Sequence, residues 1–175
     1  MKVLAMSGSL RAASINSALL RAARTLAPSG MVVDVFCVGD LPFFNPDLES
    51  RPPAAVELFY RQIESADALL IASPEYAHGV TGSIKNALDW LVGHPPFVYK
   101  TVAVFNASPR AHHADDALRE ILNTMNANLV GRASASIPLL GSGLDEQAMV
   151  NTPAVADAIR ATLMAISDAV AAQQA

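Results

Sequence analysis

Short, mainly apolar runs alternate along the chain with stretches whose apolar residues recur every three or four positions. Residues 2–7, 31–38, 68–72, 101–107 and 134–139 are the strand-like runs. Residues 68–72 are continuously apolar, which predicts a strand buried on both faces. Residues 31–38 are rich in β-branched residues, and residues 134–139 are small and end near a proline, so that strand is the weakest. Helical spacing fills the gaps. It places Ile15, Leu19, Ala22 and Leu26 on one side of residues 14–26, and Val56, Phe59, Tyr60 and Ile63 on one side of 54–65. Ile84, Leu88 and Leu91 form the stripe of 81–92, and Leu118, Ile121, Leu122 and Met125 that of 115–126. Ile159, Leu163, Ile166 and Val170 mark a last helix over 153–172. Pro28-Ser29-Gly30 and Gly93 with Pro95-Pro96 are stop signals. Residues 39–53 are irregular and rich in proline, yet their Leu41, Phe43, Phe44 and Leu48 predict a loop packed onto something. Residues 140–151 read as a glycine-containing loop.

Five strands alternating with five amphipathic helices predict an α/β fold, a doubly wound parallel sheet with helices on both faces. Five strands suit the flavodoxin-like order 2-1-3-4-5, as a single domain over residues 1–175. In that order the loops after strands 1, 3 and 4 meet at one sheet edge, beside the topological switch point where ligands bind. Those are also the loops with unusual residues: Ser9 to Ser17, Pro74 to Gly79, and Ser108 to His113.

The loop after strand 1 joins a buried strand to a helix N-terminus, where backbone N–H groups lack partners and the dipole is positive. Ser9, Ser14 and Ser17 add hydroxyls, Asn16 an amide and Arg11 a charged fork. Residues 1–33 carry Lys2, Arg11, Arg21 and Arg24 and no acid, although the whole chain has net charge −4. A serine cap alone explains neither Arg11 nor the acid-free stretch. The fourth helix, by contrast, opens with Asp115 and Asp116, which repel an anion. A phosphate is therefore expected at the first helix. Tyr76 offers a flat surface nearby and Pro74 fixes the backbone. A phosphate site facing an aromatic slot suggests a mononucleotide such as FMN.

Composition removes other classes. The acidic balance argues against nucleic acid or an anionic membrane as partner. No run reaches membrane-spanning length, and residues 3–6 are too short for a signal peptide. One cysteine, Cys37, forms no internal disulfide and fits a reducing, cytoplasmic setting; it is expected buried and inert. No Gly-x-Ser-x-Gly elbow, P-loop or metal-ligand spacing is present. His78, His112 and His113 are therefore expected to be solvated or ligand-facing, with no metal.

Three stretches together resemble the NADPH-dependent FMN reductases, a flavodoxin-like group that includes quinone, azo-dye and chromate reductases. They are Gly8-Ser9-Leu10-Arg11-Ala12-Ala13-Ser14-Ile15-Asn16, the loop Asp40 to Glu49, and Pro74-Glu75-Tyr76 followed by Ile84-Lys85-Asn86-Ala87-Leu88-Asp89-Trp90. The resemblance implies that Ser9, Arg11, Ser14, Asn16 and Ser17 hold the FMN phosphate. It places Pro74, Glu75, Tyr76 and the Ala77 backbone against the isoalloxazine, with Ser108 on the other flank. It makes Lys85, Asn86, Asp89 and Trp90 structural. NADPH or NADH is then the donor, and a quinone-like or other small molecule the acceptor. The chemistry lies on FMN, with no catalytic side chain. Family members are usually dimers or tetramers; the Phe43-Phe44 loop and the Trp90–Phe97 region can supply an interface, with Trp90 and Phe97 equally readable as core. Ala77, Gly79, Thr81 and residues 108–113 depart from the family's usual pattern. There Arg110 either meets the extra phosphate of NADPH or pairs with Asp115 or Asp116. The rival readings are an FMN-binding electron carrier or flavin-storage protein without NAD(P)H turnover, and a non-redox protein holding another phosphorylated ligand.

Overall fold

The computed structural model describes residues 1–108, 110 and 112–174. Its parallel sheet has β1 (Lys2–Ser7) between β2 (Val32–Phe36) and β3 (Ala68–Ala72). β4 (Glu75–Tyr76) and β5 (Gly79–Val80) form a separate antiparallel hairpin. β6 (Thr101–Asn106) lies beyond β3, and β7 (Asn128–Leu129) beyond β6. With the hairpin set aside, the strand order is the expected 2-1-3-4-5.

The pleat sends alternate residues to opposite faces, and each face has its own core. Val3, Ala5, Leu70 and Phe105 pack with Leu19 and Leu20 of α1 (Ile15–Thr25). Met149 of α5 (Glu146–Asn151) and Ile159, Leu163 and Ile166 of α6 (Pro153–Gln174) complete that core. Leu4, Met6, Leu69, Ile71, Val102 and Val104 face the other side. There they meet Val56, Phe59 and Ile63 of α2 (Ala54–Ser65), Ile84, Leu88 and Trp90 of α3 (Gly82–Val92), and Leu118 and Leu122 of α4 (His112–Thr124).

The fifth position of the sheet differs from the sequence expectation. In place of one strand over 134–139, β7 pairs with Thr101 and Val102, while β8 (Ala135–Ser136) pairs with Phe105 and Asn106. A 3₁₀ turn at residues 131–133 separates them. Ser134 bridges the break: its hydroxyl accepts the Val104 N–H at 3.1 Å and donates to the Val130 carbonyl at 3.1 Å. A side chain thus satisfies a buried strand N–H that the interrupted ladder leaves over.

Two further expectations change. Residues 146–151 are helical, with the Asp145 carboxylate capping the Ala148 N–H at 2.8 Å. Cys37 is exposed, because β2 is an outer strand and the thiol lies just past its end. Trp90 and Phe97, open in the sequence between interface and core, are interior residues. The Phe43-Phe44 loop is clamped onto α3. Asn86 Nδ2 and Trp90 Nε1 donate to the Pro42 carbonyl at 3.0 and 2.9 Å, and Phe44 N–H donates to Asn86 Oδ1 at 2.8 Å. Phe43 projects from this clamped loop and is 89% exposed.

Candidate functional site

The loop between β1 and α1 is held from below by small residues. Gly8 N–H donates to the Ala72 carbonyl at 2.8 Å, and Ser83 Oγ donates to the Gly8 carbonyl at 2.9 Å. An added Cβ at Gly8 would lie 2.1 Å from Ser73 Oγ and 2.8 Å from Thr81 Oγ1, so only glycine fits. Ser14 is the N-cap of α1, accepting the Ser17 N–H at 3.2 Å. Ser9 Oγ accepts the Arg11 N–H at 3.4 Å. Both hydroxyls act there as acceptors, so each keeps its own proton for another group. The first N–H groups of α1 have no acceptor within the helix.

Above this loop lies a cleft of about 520 Å³. Ser9, Arg11, Ser14, Asn16, Pro74, Glu75, Tyr76 and Ser108 line it, eight of the ten residues singled out from the sequence. Ser17 and Ala77 do not. The Ser17 hydroxyl turns inward and donates to Ser7 Oγ at 2.8 Å. Ala77 stands at the tip of the β4–β5 hairpin, in the left-handed region (φ 50°), followed by His78 (φ 59°). Two consecutive positive φ values match the tight turn that suits hairpin twist; neither residue is a glycine, so the turn is strained. Pro109 and Ala111, from the expected third loop, lie outside the described residues.

Ser73, Asn106 and Leu140 also line the cleft, and the sequence reading passed them over. Ser73 directly follows β3 and Asn106 ends β6, so the strand-end rule alone could have found them. Leu140 comes from the loop after β8 and carries no local signal. Arg110 lines the cleft and makes no ion pair with a described residue. Of its two expected partners, Asp115 is held by Arg119 at 2.7 Å, and Asp116 forms no ion pair among the described residues.

Glu75 lines the cleft with its backbone near Tyr76, but its carboxylate points to α4 and accepts the Ala114 N–H at 2.9 Å. That bond holds its pKa below the ordinary carboxylate range, against some opposing burial, with further help from His113, His78 and His112. The histidines stack: His78 on His113 with centroids 4.5 Å apart, and His113 on His112 at 4.0 Å.

Asn16 carries the most telling geometry. It is 4% exposed, lines the cleft, and its Oδ1 has no partner among the described residues. An unsatisfied buried polar atom costs about 1–3 kcal/mol, a cost that a bound polar ligand removes.

Comparison with known proteins now decides the family. The model of the NADPH-dependent FMN reductases matches residues 1–139. The chain belongs to the NADPH-dependent FMN reductase family.

Within that family it is 35% identical to an NAD(P)H-dependent FMN reductase of Pseudomonas aeruginosa, over 94% of this chain and 92% of that one. A quinone reductase of Pseudomonas putida is also 35% identical, over 82% and 81%. Among solved structures, FerB of Paracoccus denitrificans, a flavoenzyme NAD(P)H:(acceptor) oxidoreductase, superposes with a TM-score of 0.86 at 28% identity. That match covers 98% of this chain and 97% of FerB. The cleft of this FMN reductase family member fits FMN chemically. Free hydroxyl protons, helix N–H groups and Arg11 suit the phosphate. The unpartnered Asn16 Oδ1, an acceptor, suits a hydroxyl of the cofactor's chain, and Tyr76 suits the ring.

Proposed function

We propose that this chain is a cytoplasmic NAD(P)H oxidoreductase that works through FMN seated in the cleft. Electrons pass from NADPH or NADH to a quinone-like or other small acceptor. The chain is one folded unit over its 175 residues and assembles as a homodimer or homotetramer. Bound FMN supplies the redox chemistry, accepting hydride from the nicotinamide and giving up electrons to the acceptor.

The protein's part is to bind and orient. Ser9, Arg11 and Ser14 hold the phosphate together with the Asn16 amide N–H groups, Asn16 Oδ1 accepts from a hydroxyl of the cofactor's chain, and Ser17 supports the loop through Ser7. Pro74, Glu75 and Tyr76 border the ring on one flank and Ser108 on the other, with Ala77 at the hairpin tip outside the cleft lining. No side chain acts as nucleophile or metal ligand. The observation that carries this reading is the buried, unpartnered Asn16 Oδ1 in a cleft shared with Arg11 and Tyr76. No described helix is long and apolar enough to cross a membrane. For assembly, support comes from Phe43, a bare aromatic on a loop clamped by Asn86 and Trp90.

Fluorescence titration with FMN tests the site. The wild-type chain is expected to bind it, and Arg11→Ala to bind about one to two decades more weakly, the loss of one charge-assisted contact. An unchanged affinity overturns the phosphate assignment. Anaerobic titration of the FMN-loaded protein with NADPH and NADH then tests turnover. Bleaching of the flavin absorbance is expected. A flavin that both donors leave oxidised makes the chain an electron carrier or storage protein. Sedimentation tests assembly: a wild-type monomer at micromolar concentration refutes it, and Phe43→Asp is expected to lower the assembled fraction.

A further inference from the structure

A second groove, of about 620 Å³, adjoins the flavin cleft and has no part in the function described so far. The two share one wall, Ala13, Ser14 and Ile15, the stretch that carries the N-cap of α1. From there the second groove runs along α1 past Ala18 to Arg21, and its far side is the loop and first turn around Leu144 and Glu146. A group leaving the phosphate site away from the ring enters this groove directly.

We propose that the groove is a subsite for an adenosine 5′-phosphate group joined to the flavin phosphate, so that the cleft and groove together accept FAD as well as FMN. The inference rests on the phosphate-site assignment made above. Its chemistry is a set of three. Arg21 Nε donates to Glu146 Oε2 at 2.7 Å, a single-point contact that leaves the two terminal nitrogens of its fork without a described partner. Those nitrogens suit a second phosphate, and arginine binds phosphate with two parallel bonds. The second oxygen of Glu146 suits a ribose hydroxyl, since a carboxylate is an acceptor only. Ile15, Ala18 and Leu144 offer the apolar surface that a purine ring needs. The Arg21–Glu146 pair is about one-third exposed on both sides, so both groups are within reach of a ligand.

The test exchanges the FMN-loaded full chain against excess FAD, with the bound flavins separated and quantified by chromatography. Retention of FAD at least equal to FMN is expected. Arg21→Ala is expected to lower FAD retention about tenfold while FMN retention stays at the wild-type level, which also shows that the variant folds. Glu146→Gln frees the Arg21 fork and is expected to raise FAD retention. FAD retained tenfold less than FMN, with no response to either substitution, overturns the proposal. ADP binding to the FMN-loaded protein, lost in Arg21→Ala but without any FAD preference, also overturns it. The groove would then serve an adenylate not joined to the flavin, such as that of a nicotinamide dinucleotide. Retention of neither flavin overturns the phosphate-site assignment itself, a different result from FMN retained and FAD refused.

Discussion

The Glu75 carboxylate receives the Ala114 N–H at 2.9 Å, although the two residues are 39 positions apart. One end of this bond is the hairpin that borders the cleft, and the other is the first turn of α4. The bond therefore caps a helix and fixes a wall of the site together. Ionised Glu75 is favoured by the Ala114 bond first, and by the neighbouring histidines after it. Its folded pKa lies below the unfolded value, so its contribution is present above the ordinary carboxylate pKa and is lost as pH falls through the folded one.

Replacing Glu75 by Ala is expected to lower the melting temperature at pH 7 and weaken FMN binding together, because cap and wall fail as one. Glu75→Gln keeps an acceptor oxygen and is expected to recover part of both. Thermal melts and flavin titration at pH 7 check this. A Glu75→Ala protein with wild-type flavin affinity would show that the hairpin holds its place without the cap.

Gly8 predicts a packing effect. Its missing side chain is the space that Ser73 and Thr81 fill. Gly8→Ala forces backbone or side-chain shifts of the kind that cost about 1–3 kcal/mol. Denaturant unfolding is expected to show a lower midpoint, and flavin binding to weaken, since the loop would be lifted from β3. An unaltered midpoint with unaltered binding would refute this packing argument.

Much of this could be read from the sequence, and the reasons are local. The bounds of α2 and β3 follow from local residues: Pro53 immediately precedes one, and the unbroken Ala-Leu-Leu-Ile-Ala run makes the other. The loop that lines the cleft is legible because hydroxyls, Arg11 and a helix start fall within ten residues. What escaped depends on distant partners. α4 begins at His112 rather than 115, with Glu75 supplying an acceptor to its first turn. The broken outer strand relies on one hydroxyl, Ser134, standing in for backbone, and a lone serine announces nothing of the kind. Cys37 looked internal because its run is apolar, yet a strand with one neighbour leaves residues beyond its end bare.

Arg110 predicts donor choice. It lines the cleft, Asp115 is engaged by Arg119, and neither Asp115 nor Asp116 pairs with Arg110 among the described residues. A guanidinium without an ion-pair partner among the described residues suits the extra phosphate of NADPH. Arg110→Ala is expected to lower kcat/KM for NADPH about ten- to a hundredfold, the loss of a contact to a charged group, and to leave NADH nearly unchanged. Steady-state kinetics with both donors check it. An equal fall for both would assign Arg110 to the flavin or the loop instead.

His94 predicts a pH effect remote from the cleft. It is buried against Tyr60, the rings stacked at 4.1 Å, and its Nε2 has no hydrogen-bond partner among the described residues. Burial pushes its pKa down, with Glu64 opposing and Lys100 assisting. The unfolded chain then binds the proton more readily. Stability is full above the ordinary histidine value, about 6.5, and declines as pH falls below it. Unfolding midpoints between pH 7.5 and 5 are expected to show this slope, and His94→Phe to flatten it. A slope that survives in His94→Phe would assign it to other groups.

The interrupted outer strand also governs what the molecule can join. β7 and β8 are two residues each, with a turn between them, so that margin offers no continuous row of backbone groups to a foreign strand. The opposite margin, β2, carries Asp34 in its middle, ion-paired with Lys2 at 3.7 Å. Short edge strands and edge charges are the devices by which sheets resist templated growth. Strand exchange and fibril-like stacking are thereby disfavoured at both margins, which leaves helices and loops, the exposed Phe43 among them, as the surface open to contact.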